Sequence, residues 1–192
     1  MKDWTGNAQA VHAVNQRRQD AQEHDYYATD PKAVELLLEQ EAFCREIWEP
    51  ACGEGHISEA LKTHGHAVYS TDLIDRGYGV PPCEDFLQTS MECWDGDIIT
   101  NPPYKFAREF VEKALDIVTD GHKVAMFLKL TFLEGQARRD LFKQHPPQTV
   151  YVSSARLECG KNGKFTGSSA VAYCWIVWQK GHKGPTCLKW IN

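Results

Sequence analysis

Asp97-Ile98-Ile99-Thr100-Asn101-Pro102-Pro103-Tyr104 is the stretch that decides the fold. Its first four residues read as a short buried strand, and two consecutive prolines stop that strand at once. The prolines remove two backbone donors and stiffen the chain. The Asn101 side-chain oxygen and the Pro102 carbonyl can then be held toward one point as acceptors. A planar NH2 group fits such a point. Accepting two hydrogen bonds from it raises electron density on a nitrogen that conjugation makes a poor nucleophile. Tyr104 follows, placed to stack on a planar substrate. The bland alternative is a proline turn after a buried strand.

Working outward, other short apolar runs read as strands: Glu46 to Glu49, Ala67 to Thr71, Lys123 to Leu130, Thr149 to Ser153 and Val171 to Trp178. Helical patterns separate them at Ile57 to Thr63, Ala107 to Val118 and Glu134 to Gln144, and Asp30-Pro31 opens an earlier helix through Val34, Leu36, Leu37 and Leu38. Strand and helix alternation predicts a parallel sheet covered on both faces, a doubly wound α/β domain. In such sheets ligands sit at the carboxyl ends of the strands.

The strand ends carry a series of candidates. Trp48-Glu49-Pro50-Ala51-Cys52-Gly53-Glu54-Gly55 places the acid Glu49 at a strand end, then Ala51, Gly53 and Gly55 before a helix. Glycines there let backbone approach a ligand, as in a nucleoside loop, although such turns are often purely structural. Asp72 ends the next strand about 20 residues after the glycines, where such folds bind both hydroxyls of a ribose; a helix cap is the alternative. Asp85 and Phe86 pair a carboxylate for an adenine amino group with a ring for its face.

Residues 1 to 24 read as a polar N-terminal arm, and residues 25 to 192 as one domain. Hydrophobic content of 42% and charged content of 24% exclude a disordered or fibrous chain. No apolar stretch suits a membrane span and no apolar signal core appears, which predicts a cytoplasmic protein. Seven cysteines, an odd number without C-x-x-C, point to free thiols rather than disulfides, and neither they nor His64-Gly65-His66 make a metal site, so none is expected. The net charge of −5 is uneven, −12 over residues 1 to 100 and +7 over residues 101 to 192. An anionic partner can use the second half, unless the clustering is ordinary solvated surface.

Order and spacing together resemble the Rossmann-like class I methyltransferases, and among them the amino methyltransferases with an N-P-P-Y loop, such as the DNA adenine-N6 enzymes. The resemblance covers roughly residues 25 to 180. It implies a mostly parallel seven-stranded sheet with an antiparallel last strand, and S-adenosylmethionine as cofactor. Tyr26-Tyr27-Ala28-Thr29-Asp30-Pro31 is similar to the segment that contacts the methionine end of the cofactor, with Asp30 interposed before Pro31. By the same likeness Tyr27, Thr29, Glu49, Ala51, Gly53, Gly55 and Asn101 line the methionine and sulfonium region, Asp72 the ribose, and Asp85 with Phe86 the adenine. Asn101, Pro102, Pro103 and Tyr104 map to the catalytic loop.

The resemblance further implies N6 of adenine in DNA as target, with the base flipped out of the helix. Lys105, Arg108, Arg138, Arg139, Arg156, Lys161 and Lys164 are candidates to hold phosphates, and Phe165 a wedge or stacking ring. RNA adenine and a protein glutamine amide are alternatives, because the same loop serves any planar NH2. A silent cofactor-binding regulatory module is a third, against which the intact loop argues. Nothing in the chain is long enough for a separate target-recognition domain, so a partner subunit is expected to supply one.

Overall fold

The computed structural model describes residues 27–155, 157–161, 165 and 171–192. The expected arm (1–24) therefore lies outside the described residues, as do Tyr26, Arg156 and Lys164. The strands are β1 (Tyr27–Thr29), β2 (Glu46–Glu49), β3 (Ala67–Ser70), β4 (Asp97–Thr100), β5 (Lys123–Lys129), β6 (Thr149–Ser153), β7 (Cys159–Lys161), β8 (Tyr173–Gln179) and β9 (Cys187–Ile191). The α-helices are α1 (Pro31–Leu38), α2 (His56–Thr63), α3 (Ala107–Ile117) and α4 (Arg139–Gln144).

Seven strands form one sheet in the order β3-β2-β4-β5-β8-β6-β9. The pairs β3/β2, β2/β4, β4/β5 and β6/β9 are parallel, and β8 runs antiparallel to both β5 and β6. This is the expected α/β class, with the expected reversed strand in β8. The seventh strand is β9, which the sequence pattern did not single out. It adds an outer edge beyond β6, with Trp190 65% exposed. No helix among the described residues is long and apolar enough to cross a membrane.

Alternation along the strands sends successive side chains to opposite faces. Trp48, Ile98, Val124, Met126, Ile176 and Trp178 pack on one face against Phe110, Val111 and Ala114 of α3. Ile47, Ile99, Phe127, Tyr151 and Trp175 pack on the other against Val34 and Leu37 of α1 and Ile57 and Leu61 of α2. Each such apolar side chain contributes roughly 1.5–3 kcal/mol on burial. The two faces together fix which strand tips lie side by side. Buried indoles keep their N–H groups bonded: Trp48 donates to Thr71 Oγ1 at 2.9 Å and Trp175 to the Ala33 carbonyl at 2.7 Å.

Helix starts follow local chemistry. The Asp30 carboxylate accepts from the Lys32 amide at 3.0 Å and Pro31 occupies the first turn of α1. The helix expected over Glu134 to Gln144 is shorter than its pattern. A 3-10 turn at Gln136–Arg138 precedes α4, because the Arg138 guanidinium folds back onto the carbonyls of Thr131, Phe132 and Glu134. Four strand ends also move: β3 stops at Ser70, β5 stops at Lys129, and β8 begins at Tyr173 and ends at Gln179.

Candidate functional site

Register pairs Ile47 with Asp97 and Trp48 with Ile98, so β2 and β4 finish together and carry Glu49 and Asn101 to the same edge of the sheet. Over that edge lies a small antiparallel ribbon in which Tyr27, Ala28 and Thr29 of β1 pair with Lys161, Gly160 and Cys159 of β7. The ribbon grips Asn101. The Asn101 amide nitrogen donates to the Tyr27 carbonyl at 2.8 Å and to Thr29 Oγ1 at 3.0 Å. A carbonyl only accepts, so the nitrogen of the amide must face Tyr27 and the oxygen must face away. That oxygen, Asn101 Oδ1, is buried and has no hydrogen-bond partner among the described residues.

Around it stand groups that remain neutral. Tyr104 Oη lies 3.2 Å from Cys159 Sγ, and burial holds the phenol well above its usual range. Burial also pushes the Cys159 thiol up to about 11 and raises Tyr173. None of these ionises near neutral pH, so none serves there as a general base or a thiolate nucleophile. The Tyr104 ring is tilted against Tyr27 at 5.9 Å and against Tyr173 at 6.0 Å, and Lys129 Nζ sits over it at 4.8 Å. Tyr27, 39% exposed, is the open ring of the three. Pro102 is buried beneath the loop and Pro103 is exposed.

The glycine loop is tied to its neighbour strand. Gly53 has φ 54° and Gly55 φ 86°, values that suit glycine. The Gly53 amide donates to Asp72 Oδ2 at 2.7 Å, while Asp72 Oδ1 accepts from the Ile74 amide at 2.9 Å. Asp72 thus clasps the loop and caps no helix. A Cβ at Gly55 would collide with the ring of Tyr78, whose hydroxyl bonds to Glu59 and Lys62 of α2. Ala51 is half-buried in the same loop.

Glu49 is 1% exposed, and its carboxylate accepts from the Ser58 hydroxyl, itself 2.6 Å from Ser70 Oγ. Burial raises it to about 8 against the opposing Ser58 hydrogen bond. Near neutrality this is a protonated acid that an arriving cation would ionise.

Several expected contacts take other forms. Phe86 is 1% exposed and packs edge-on against Trp48 at 5.2 Å and against Phe110 at 5.0 Å, so it is a core ring with no open face for an adenine. Asp85 caps the 3-10 turn after it by accepting from the Leu87 amide at 3.0 Å. Arg138 is spent on three backbone carbonyls. Arg108 bonds Glu112 at 2.8 Å and the Ala137 carbonyl at 2.7 Å. These two arginines brace the turn before α4. Lys105 Nζ lies over the Phe106 ring at 5.3 Å, and Arg139 opens α4. The Lys161 backbone belongs to the ribbon. Phe165 is 42% exposed and meets His56, 5.8 Å between ring centres, beside the glycine loop.

Sequence reasoning missed Cys159, Tyr173, Lys129 and Ser58. A helical Ser behind a strand-end acid, and a Lys closing a seven-residue apolar strand, are visible signals. Cys159 has none, since only the ribbon brings it to Asn101.

No protein-family model matches the sequence, and no curated protein does. Solved structures share its fold. A class I S-adenosylmethionine-dependent methyltransferase designated in Listeria monocytogenes is 14% identical, with a TM-score of 0.57 over 82% of this chain and 62% of its own. A modification subunit designated to a type I restriction enzyme of Vibrio vulnificus is 13% identical, with a TM-score of 0.59 over 92% of this chain and 49% of its own. A protein of Agrobacterium tumefaciens designated an O-methyltransferase is 12% identical, with a TM-score of 0.61 over 84% of this chain and 85% of its own. The chain therefore spans 62% and 49% of the length of the first two. The fold is the Rossmann-like fold of the class I methyltransferases.

Proposed function

We propose that this chain is an S-adenosylmethionine-dependent methyltransferase acting on a planar exocyclic amino group, N6 of adenine in DNA. One observation carries the reading: Asn101 has its amide nitrogen pinned by Tyr27 and Thr29, while its oxygen is buried without a partner. A buried acceptor left empty costs roughly 1–3 kcal/mol, and an N–H donor on a ligand would relieve that cost.

The residues present fit the cofactor. Gly53 and Gly55 form the left-handed turn at the sheet edge, Asp72 stands against that turn, and Glu49 is a buried acid bonded by the hydroxyl and amide of Ser58, suited to an ammonium group. When bound, the cofactor supplies an electrophilic methyl group. The substrate NH2 donates to Asn101 Oδ1 and the Pro102 carbonyl, which hold the nitrogen in one orientation and enrich its electron density. Tyr104, with the more open Tyr27 ring beside it at 5.9 Å, is the ring placed to stack on the planar substrate. With Tyr104, Cys159 and Tyr173 all protonated, Asn101 Oδ1 holds the departing amino proton by a hydrogen bond until water accepts it.

Adenine in DNA is favoured by the asparagine-led loop, by the basic second half of the chain and by the likeness to a modification subunit. A partner subunit supplies target recognition in this reading. The test is to incubate the protein with methyl-labelled S-adenosylmethionine and, separately, duplex DNA, single-stranded DNA, RNA and protein extract. Label in adenine of DNA is expected. Label confined to RNA or to glutamine amides would reassign the substrate, and label nowhere would favour a silent cofactor-binding module.

A further inference from the structure

We propose that Cys44, Asp97 and His122 form a binding site for a divalent ion of the zinc class, at the amino-terminal edge of the sheet and away from the Asn101 loop. The three residues come from separate parts of the chain. Cys44 lies just before β2, Asp97 opens β4 and His122 immediately precedes β5. Their thiol, carboxylate and ring-nitrogen atoms all lie within 4.8 Å of one another.

Main-chain bonds hold the central ligand in place. Asp97 Oδ2 accepts from the Cys44 amide at 2.6 Å and Oδ1 from the Lys123 amide at 2.7 Å, with the side chain 4% exposed. Oδ2 has a second lone pair still to offer. His122 Nδ1 is 3.1 Å from Asp97 Oδ1, and an ion would take the place of the proton between them. The other ring nitrogen of His122 lies 3.2 Å from Asp95 Oδ1. A carboxylate behind the far nitrogen of a ligating histidine is the arrangement that fixes its tautomer and ring plane in metal sites. The Cys44 thiol donates to the Glu46 carbonyl at 2.9 Å and accepts from the Asp97 amide at 3.2 Å, so thiol and oriented imidazole both meet Asp97, and an ion would replace their two protons.

The mixed sulfur, nitrogen and oxygen donors favour zinc over magnesium or calcium, which take oxygen shells. Metal–ligand distances of about 2.0–2.3 Å require the three donors to close slightly, with water in the fourth position. His122 is 23% exposed at its side chain, which leaves an entry path. The sequence pointed away from a metal because these ligands share no short spacing. Neither member of the His64-Gly65-His66 pair is a ligand here: His64 bonds the Ala60 carbonyl and His66 the Cys44 carbonyl, both at 2.9 Å.

Cobalt(II) is the probe, added to full-length protein first stripped with a chelator. Wild type is expected to take up one equivalent, with near-ultraviolet thiolate-to-cobalt charge-transfer absorption and tetrahedral visible bands, and zinc should displace it. Cys44→Ser should lose the charge-transfer band, and Asp95→Asn should weaken binding roughly 10- to 100-fold. His122→Asn, altered at a part-exposed position, should abolish uptake and still show the cooperative melt of metal-free wild type. Absence of the charge-transfer band in wild type would overturn the proposal, as would cobalt binding of unchanged strength in folded Cys44→Ser and His122→Asn. The assay needs no methyl transfer, so it stands or falls apart from the proposed activity.

Discussion

Strand β4 is four residues long, and its two ends treat polar side chains in opposite ways. At the entrance, Asp97 is nearly buried and both carboxylate oxygens accept main-chain amides. At the exit, Asn101 has every amide hydrogen directed at the β1/β7 ribbon while its oxygen is buried and empty. Buried polar groups in folded proteins are almost always satisfied, and exceptions call for a reason. At the entrance each carboxylate oxygen ties a loop to the sheet. The exit holds acceptors in reserve, Asn101 Oδ1 beside the hydroxyl of Thr100, at the edge where parallel sheets receive ligands.

The comparison can be broken from the architectural side first. Phe86 was expected at the cofactor but is packed like a core residue, so Phe86→Ala should cost about 3–5 kcal/mol of stability. Chemical denaturation measures this; a stable variant with cofactor affinity selectively lost would return Phe86 to the site.

Glu49 lies between the two extremes, bonded by the hydroxyl and amide of Ser58 but with no ion pair among the described residues. Burial pushes its folded-state value up to about 8 from an ordinary 4.5, so the folded protein holds a proton that the unfolded chain releases. The resulting stability is full below pH 4.5 and is lost as pH rises through 8, with a slope of at most about 1.4 kcal/mol per pH unit. Glu49→Gln should flatten that slope and be the more stable protein above pH 8. Thermal melts across pH decide it, and parallel curves for the two proteins would remove Glu49 from the account.

The smallest expected effect tests the reserve directly. Thr29→Val removes one of the acceptors that aim Asn101 and keeps the side chain's shape. A lost neutral hydrogen bond of about 0.5–1.5 kcal/mol predicts a roughly 2- to 12-fold slower methyl transfer, with cofactor affinity unchanged. Equal rates would mean that the Tyr27 carbonyl alone orients the amide.

The order of strands and helices was legible because buried parallel strands are apolar runs and the helices between them have one apolar stripe. β9 was not, since Leu188 and Trp190 are exposed and only Ile191 is buried, which reverses the usual inside-out pattern. The ribbon of β1 and β7 was invisible for another reason: three-residue strands have no period to read, and their pairing joins Tyr27–Thr29 to the distant Cys159–Lys161. Asn101 could be found in the sequence because two prolines mark it. The neutral box around it could not, since Cys159 and Tyr173 reach it only through tertiary pairing. Phe86 misled because an Asp-Phe pair looks the same whether the ring faces a ligand or Trp48 and Phe110.

Single-turnover methyl transfer by Asn101→Ala, run beside titration of S-adenosylmethionine into the same protein, tests the empty acceptor most directly. Removing one preorganised contact to a reacting group costs about 10² to 10³ in rate. The account predicts a fall of at least that size, with most cofactor affinity retained and a milder loss in Asn101→Asp, whose oxygen still accepts. Transfer at the wild-type rate by Asn101→Ala would contradict it and leave the loop a structural turn.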